Sequence, residues 1–336
     1  MIFEKLRSMR NDYLVTLNSV AVLDPAIATR NAGDEIISDS ARREIRSVLP
    51  NHFLTTIPTH ERLASRSYRL VQQSQYSILA GSNILTSDLF RDRGWRYAMR
   101  DTFFVNDIIS LATGWRSYKE DRSPVGTFML KKALSRTAVH SVRDEYTKKR
   151  LAAIGVGNVV NTGCVTMWRL DLEHLKSLPR RRAGKVVTTL NIGHPCAEDI
   201  AISELLLRTY DKVYVWPQGI DDLPYVAGIF GDRATILGPT LAAYDELLAG
   251  EPDLDFVGNR LHGGIRAMQH GHRALIMSVD NRATEITRDT RLPVIARTEP
   301  IDVIRRRIEE PEAIDIQLPN EAIARWRGQF NRRPVA

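Results

Sequence analysis

DLDFVGNRLHGGIRAMQHGHRALIMSVD, Asp253 to Asp280, reads as strand, turn, helix, strand. An apolar strand over Leu254–Val257 runs into Gly258-Asn259-Arg260-Leu261-His262-Gly263-Gly264. A helix over Gly263–His270 and a second strand over Ala274–Ser278 follow. Strand–helix–strand alternation with short connections marks parallel α/β architecture. The same rhythm fills the C-terminal half, with strands at Lys185–Asn191, Lys212–Trp216, Ala234–Leu237 and Pro293–Ala296. Its further helices read at Ala197–Tyr210, Pro224–Phe230, Leu241–Ala249, Arg282–Asp289 and Ile301–Glu309.

The N-terminal half repeats it. Strands read at Tyr13–Asn18, His52–Pro58, Gln75–Leu85, Ile108–Gly114, Ala138–Arg143 and Asn158–Thr162. Helices read at Glu35–Val48, Glu61–Gln73, Ser123–Arg136 and Glu145–Ile154. The expected fold is α/β, two Rossmann-like domains facing a central cleft, with ligands at the carboxyl ends of strands. The expected division is an N-terminal domain over 1–172, a basic linker over 173–184 (LKSLPRRRAG lies here), a C-terminal domain over 185–310 and a tail over 311–336. That tail carries a helix, Asn320–Phe330, able to fold back.

The 336 residues, 43% hydrophobic and 26% charged, describe a globular protein with a real core. No apolar run approaches the ~18 residues of a membrane span, and the start lacks the plan of a secretion signal. Cys164 and Cys196 are too few for a disulfide framework, so a cytoplasmic setting is expected. Lys and Arg total 47 against 40 Asp and Glu, a balance that suits an anionic ligand or membrane surface. Zinc-finger spacing, an RNA-binding aromatic signature and a dense basic arm are all missing, which argues against a nucleic-acid partner.

Arg260 and His262 lie at a strand's end and a helix's start, where unpaired N–H groups favour an anion and a His exchanges protons near neutral pH. The plainer reading pairs Arg260 with a surface carboxylate and makes His262 a helix cap. Arg143, in Ser141-Val142-Arg143-Asp144, occupies the same kind of position in the other half, or else pairs with Asp144 or Glu145. Asn31-Ala32-Gly33-Asp34 opens a helix with Asp34 as the expected N-cap, and Gly81-Ser82-Asn83 is a small-residue loop after a strand. Neither a dinucleotide fingerprint nor a P-loop occurs. His194 and Cys196 flank Pro195 without further ligands at metal spacing, so no metal is expected; His270 and His272 close a helix, and Cys164 reads as buried.

Taken in order, NAGDEII, AGSNIL, SVRDEYTKKRLAAIGV, NTGCVTMW, VGNRLHGGIRAM and ALIMSVDNRATEI resemble the polysaccharide pyruvyl transferase family over roughly residues 13–290. That resemblance implies a GT-B architecture. It also implies transfer of a pyruvyl group from phosphoenolpyruvate, a co-substrate needing no cofactor, to two hydroxyls of a sugar in an exopolysaccharide or envelope glycan or its lipid-linked precursor. By the same resemblance, His262 is the general acid; Arg143, Arg260, Leu261 and Arg282 bind phosphoenolpyruvate; and Asn31, Gly33, Asp34, Gly81, Ser82 and Asn83 lie on the acceptor side. Arg282 stands where similar sequences often carry lysine, and its fork needs a different pocket. A lipid-linked acceptor would seat this basic chain peripherally on the inner face of the membrane. The competing readings are a nucleotide-sugar glycosyltransferase of the same build and a non-catalytic glycan-binding relative.

Overall fold

A computed structural model describes residues 17–89, 91, 94–116, 118, 123–279, 281–311 and 314–331, without the side chains of residues 17 and 281–284. The chain divides into two compact units: unit 1 holds 1–29, 38–165 and 319–336, and unit 2 holds 30–37 and 166–318.

Unit 1 opens with β1 (Leu17–Asp24), α1 (Ala32–Val48, whose first residues belong to unit 2), β2 (Phe53–Pro58), α2 (Ser65–Gln73) and β3 (Ser74–Ala80). There follow β4 (Asn83–Leu85), β5 (Ile108–Leu111), β6 (Gly114–Trp115), α3 (Pro124–Ala133), β7 (His140–Val142), α4 (Glu145–Ala153) and β8 (Val159–Asn161). Four strands form a parallel sheet in the order β2-β1-β3-β5, while β4 pairs with β6 and β7 with β8. Val20 to Leu23 are fully buried, which carries β1 six residues past the expected end at Asn18; the expected start, 13–16, lies outside the described residues.

Two expected strands are each broken in two. The run Gln75–Leu85 stops at Gly81 and Ser82, with φ of 69° and 67°, and Ile108–Gly114 stops at Ala112, with φ of 51°. Left-handed residues end the extended ladder. The apolar residues beyond them therefore pair with each other, β4 with β6, instead of prolonging β3 and β5.

Unit 2 contains α5 (Leu172–Ser177), β9 (Lys185–Thr188), α6 (Glu198–Thr209), β10 (Lys212–Val215), α7 (Leu223–Phe230), β11 (Thr235–Ile236) and α8 (Leu241–Gly250). It continues with β12 (Leu254–Gly258), α9 (Leu261–Gln269), β13 (Ala274–Ser278), α10 (Asn281–Thr290), β14 (Val294–Ala296) and α11 (Ile301–Glu309). The six strands are parallel, in the order β11-β10-β9-β12-β13-β14. The chain starts in the middle at β9, steps outward to β11, then returns to β12 and steps the other way. The reversal leaves a crevice at the carboxyl ends of β9 and β12, where open α/β sheets bind ligands. Gly258 lets β12 run close to Thr189, and Gly264 lets α9 pack close on the sheet: a Cβ on the first would sit 2.5 Å from Thr189 Oγ1, and on the second 2.4 Å from Ile276 Cγ1.

The segment 173–184 is not a free linker. The long stretch of unit 2 runs from Thr166, so this segment lies within it, and Leu175 and Leu178 are buried. His174 Nε2 lies 2.6 Å from the Met268 carbonyl oxygen, and Arg182 stacks over Tyr210 at 5.3 Å. The C-terminal helix α12 (Asn320–Gly328) is an integral part of unit 1. Its Trp326 is fully buried and donates to the Ser110 carbonyl at 3.0 Å, and Arg327 holds Glu44 through two bonds of 2.5 and 2.7 Å. Among the described residues, no helix is long and apolar enough to cross a membrane.

Candidate functional site

The crevice of unit 2 gathers polar atoms with no partner. Thr188 ends β9, Gln218 follows β10, and Asn259 and Arg260 follow β12, so all four stand at the carboxyl ends of three adjacent strands. Thr188, Gln218 and Asn259 are at most 4% exposed. Thr188 Oγ1, Gln218 Oε1, both polar atoms of the Asn259 amide and Arg260 Nε are buried without a hydrogen bond. Each such group costs about 1–3 kcal/mol when left unmade. Five such atoms at one end of the sheet leave this end with bonds to give.

The frame around them is fully bonded. Asp222, 1% exposed, accepts from the Ile192 amide at 3.1 Å and the Gly219 amide at 2.9 Å, and pairs with Arg260 Nη2. One carboxylate thus ties together the loops after β9, β10 and β12 and fixes the guanidinium while leaving Nε unbonded. The Arg260 backbone is held in turn by Thr189, whose Oγ1 accepts from its amide at 3.2 Å.

Asn31 and Gly33 belong to this frame, in unit 2, and not with the Gly81–Asn83 loop of unit 1. Helix α1 starts at Ala32, so Asn31 is its cap: Oδ1 accepts from the Gly33 amide at 3.0 Å. Asp34, the cap expected from sequence, lies in the first turn with its own amide donating to the Asn31 carbonyl. The backbone donor identifies the Asn31 atom as oxygen, so the Gln218 group 2.9 Å away is its Nε2. Gln218 Oε1 is therefore turned toward α9, 3.4 Å from where a Gly263 Cβ would stand. A Cβ on Gly33 would lie 2.6 Å from Gln218 Nε2, so a side chain there would push the Gln218 amide off Asn31.

Helix α9 begins here with Leu261, and its N-cap is Arg260, without a side-chain cap and without an acidic residue in the first turn. His262 is half-buried in that turn. A cation, an uncapped helix start and an adjacent imidazole form an arrangement that can hold an anion and move a proton beside it.

Unit 1 brings together a different set. Gly114 lies between Asn83 and Arg143: a Cβ there would be 2.1 Å from Asn83 Oδ1 and 2.5 Å from Arg143 Nε. Asn83 Oδ1 and Thr113 Oγ1 are buried without partners. Ser82 O accepts from the Gly114 amide at 2.8 Å, and Gly81 N donates to Leu111 at the same distance. Arg143 is 3% exposed and pairs with Asp144 at 3.3 Å, as the plainer reading of that segment expects.

The remaining candidates separate from both clusters. Arg282 is described only as backbone in α10; its side chain lies outside the description. The His194–Cys196 turn is pinned by Arg297, which donates to the His194 carbonyl at 2.6 Å and pairs with Asp199 at 3.2 Å. Burial, with the Glu198 carboxylate beside it, pushes the Cys196 thiol up and away from thiolate chemistry. His272 Nε2 bonds the Leu248 carbonyl, and Cys164 is buried. Among the described residues, no three His, Cys, Asp or Glu side chains group so as to hold a metal ion.

Sequence reasoning missed Asp222, Gln218 and Thr188. The strand expected at Lys212–Trp216 does end just before Gln218, so the position was open to inference once the strand order was known.

The sequence profile of the polysaccharide pyruvyl transferase family matches residues 31–281. Among curated proteins, no sequence matches. Of solved structures, UDP-GlcNAc 2-epimerase of Methanocaldococcus jannaschii, in complex with UDP-GlcNAc and UDP, is similar with a TM-score of 0.51 and 10% identity, over 90% of this chain and 95% of that one. Two variants of the wall teichoic acid polymerase TagF align with TM-scores of 0.43 and 0.44 and identities of 9% and 11%, over 98% of this chain and 88% and 90% of theirs. At such identity the epimerase shows the fold alone, α/β with two Rossmann-like units of the GT-B-like class.

Proposed function

The chain belongs to the polysaccharide pyruvyl transferase family, and from that premise we propose that it moves a pyruvyl group from phosphoenolpyruvate onto two hydroxyls of a sugar, releasing phosphate. The observation that carries this reading is the unpartnered Arg260 Nε beside the uncapped start of α9. Phosphoenolpyruvate brings a carboxylate and a phosphate. Arg260 Nε and the Leu261 amide, at the first position of α9, donate to one of these anionic groups.

His262, one residue on, protonates the methylene carbon and leaves C2 electron-poor. The first sugar hydroxyl adds to C2 and gives up its proton. The second hydroxyl then displaces phosphate from C2, closing the ketal. Of the two hydroxyl protons released, one replaces the proton consumed at the methylene carbon and the other leaves with phosphate. Asp222 positions Arg260, and Asn31 positions Gln218, whose oxygen is suited to accept from a hydroxyl of the acceptor. In unit 1, the proposal leaves Gly81, Ser82 and Asn83 as acceptor contacts and gives Arg143, buried and paired with Asp144, a structural role instead of the donor-binding one; Arg282 is left as a further donor cation. The acceptor is a glycan or its lipid-linked precursor.

Calorimetric titration tests the donor. Phosphoenolpyruvate should bind in the micromolar-to-millimolar range, and a nucleoside diphosphate should not. Binding of the nucleoside diphosphate alone would replace the reading with sugar transfer from a nucleotide.

A further inference from the structure

Helix α3 has two apolar faces. Gly126, Met129, Leu130 and Ala133 are buried against unit 1. Val125, Phe128 and Lys132, spaced i, i+3 and i+7, share a neighbouring stripe that faces solvent, where Val125 is 45% and Phe128 50% exposed. The Lys132 ammonium lies over the Phe128 ring at 5.9 Å. Beside this stripe the 3₁₀ turn Met99–Phe103 presents Phe103, 64% exposed. Phe103, Lys132, Leu134 and Arg136 line one open groove of about 440 Å³, together with Asp107.

Exposed apolar side chains scattered singly are ordinary, but three gathered beside one groove form the kind of patch that marks a contact surface. The charges around it narrow the occupant. Residues 123–137 carry Lys131, Lys132 and Arg136 and no carboxylate, and all three cations are exposed. Lysine is depleted from the interiors of protein–protein interfaces. At a lipid surface the same residue is favoured: its stem lies along apolar groups while its ammonium reaches the headgroups. A short helix with aromatic and aliphatic residues toward solvent and cations in its last turn has the chemistry of an interfacial contact.

We infer that this face seats unit 1 on an anionic phospholipid surface. Val125, Phe128 and Phe103 enter the headgroup region, and Lys131, Lys132 and Arg136 meet lipid phosphates. The attachment is reversible and salt-sensitive, as expected for three apolar side chains and three cations. It does not depend on the pyruvyl-transfer reading.

Co-sedimentation of the full chain with vesicles tests it, using phosphatidylcholine alone and phosphatidylcholine mixed with phosphatidylglycerol. Binding should require phosphatidylglycerol and weaken as salt rises. Phe103→Ser with Phe128→Ser should lower partitioning at least ~10-fold, with thermal unfolding unchanged because both rings are exposed. Should that pair fail to fold, Lys132→Glu with Arg136→Glu carries the test and should abolish the preference for phosphatidylglycerol. Equal binding to both vesicle types, no binding of the wild type, or unchanged binding of the variants would overturn the inference. Vesicle-independent self-association abolished by the same substitutions would also overturn it, giving the face to a second copy of the chain.

Discussion

Arg143 in unit 1 and Arg260 in unit 2 each follow an apolar strand and precede a helix, yet the two helices are finished in opposite ways. Ahead of α4, Asp144 accepts from the Thr147 amide at 2.7 Å, and Glu145 adds a second carboxylate to the first turn. The protein's own anions occupy that helix start, and Arg143, 3% exposed, is balanced by its sequence neighbour. Helix α9 has no such anion. Its cation is balanced from behind, by a carboxylate 38 residues away in sequence, and keeps a donor unbonded. The same order of strand, arginine and helix can therefore end with the helix start filled by the chain's own carboxylates or left without one. The deciding factor is where the compensating carboxylate stands.

The sharpest way to break this contrast is His262→Ala. If the start of α9 is where protons move, phosphate release from phosphoenolpyruvate in the presence of acceptor should fall ~10²–10⁴-fold while circular dichroism is unchanged. Near-normal turnover would leave the crevice without its acid. On the other side, Arg143→Met should act on folding: removing one partner of a buried pair costs about 3–5 kcal/mol, read as a lower denaturant midpoint. An unmoved midpoint with weakened ligand binding would put Arg143 in the same class as Arg260.

Arg260→Ala should weaken phosphoenolpyruvate by about 1.5–3 kcal/mol, roughly 10- to 100-fold in Kd. Folding should be weakened less than by Arg143→Met, since the Asp222 carboxylate that loses its cation still accepts from the Gly219 and Ile192 amides. The smallest effect concerns pH. Burial holds His140 below the ordinary 6.5, and the geometry agrees: the Ser110 amide donates to Nδ1, so the ring's proton is on Nε2, facing the Ser135 carbonyl at 2.8 Å. The unfolded chain takes up a proton that the folded ring refuses. Stability should therefore be full above about pH 6.5 and decline as pH falls below it. His140→Gln should flatten that decline in part, because His270 is lowered likewise, first by burial.

Most of unit 2 was legible because its strands are compact apolar runs between good helices; their order, with its reversal at β9, is a property of the folded sheet. Three features were not. The small residues Gly81-Ser82-Asn83 marked a loop, but an alanine can hold a positive φ without any trace in hydrophobic pattern, so the break at Ala112 was invisible. The basic composition of 173–184 is that of a solvated linker, yet Leu175 and Leu178, three residues apart, pack a short helix and its cap into unit 2. Asp221 and Asp222 are identical neighbours, yet one side chain is 60% exposed, paired with Arg30, while the other is buried under Arg260. No local pattern separates them, since the difference is made by strands far away in sequence. The Arg260–His262 pair was visible because strand, cation and helix start are all local.

The return of α12 bears on how the chain is made. The Ser110 carbonyl meets its donor on Trp326 only 216 residues later. During synthesis, the whole stretch 166–318 leaves the ribosome before unit 1 receives the indole that seals its sheet. The usual N-terminal-first order of domain completion is thus reversed here. Until the last helix arrives, the nascent unit 1 carries an unfilled slot along β5, and a chain stalled short of residue 326 is left with its first domain open.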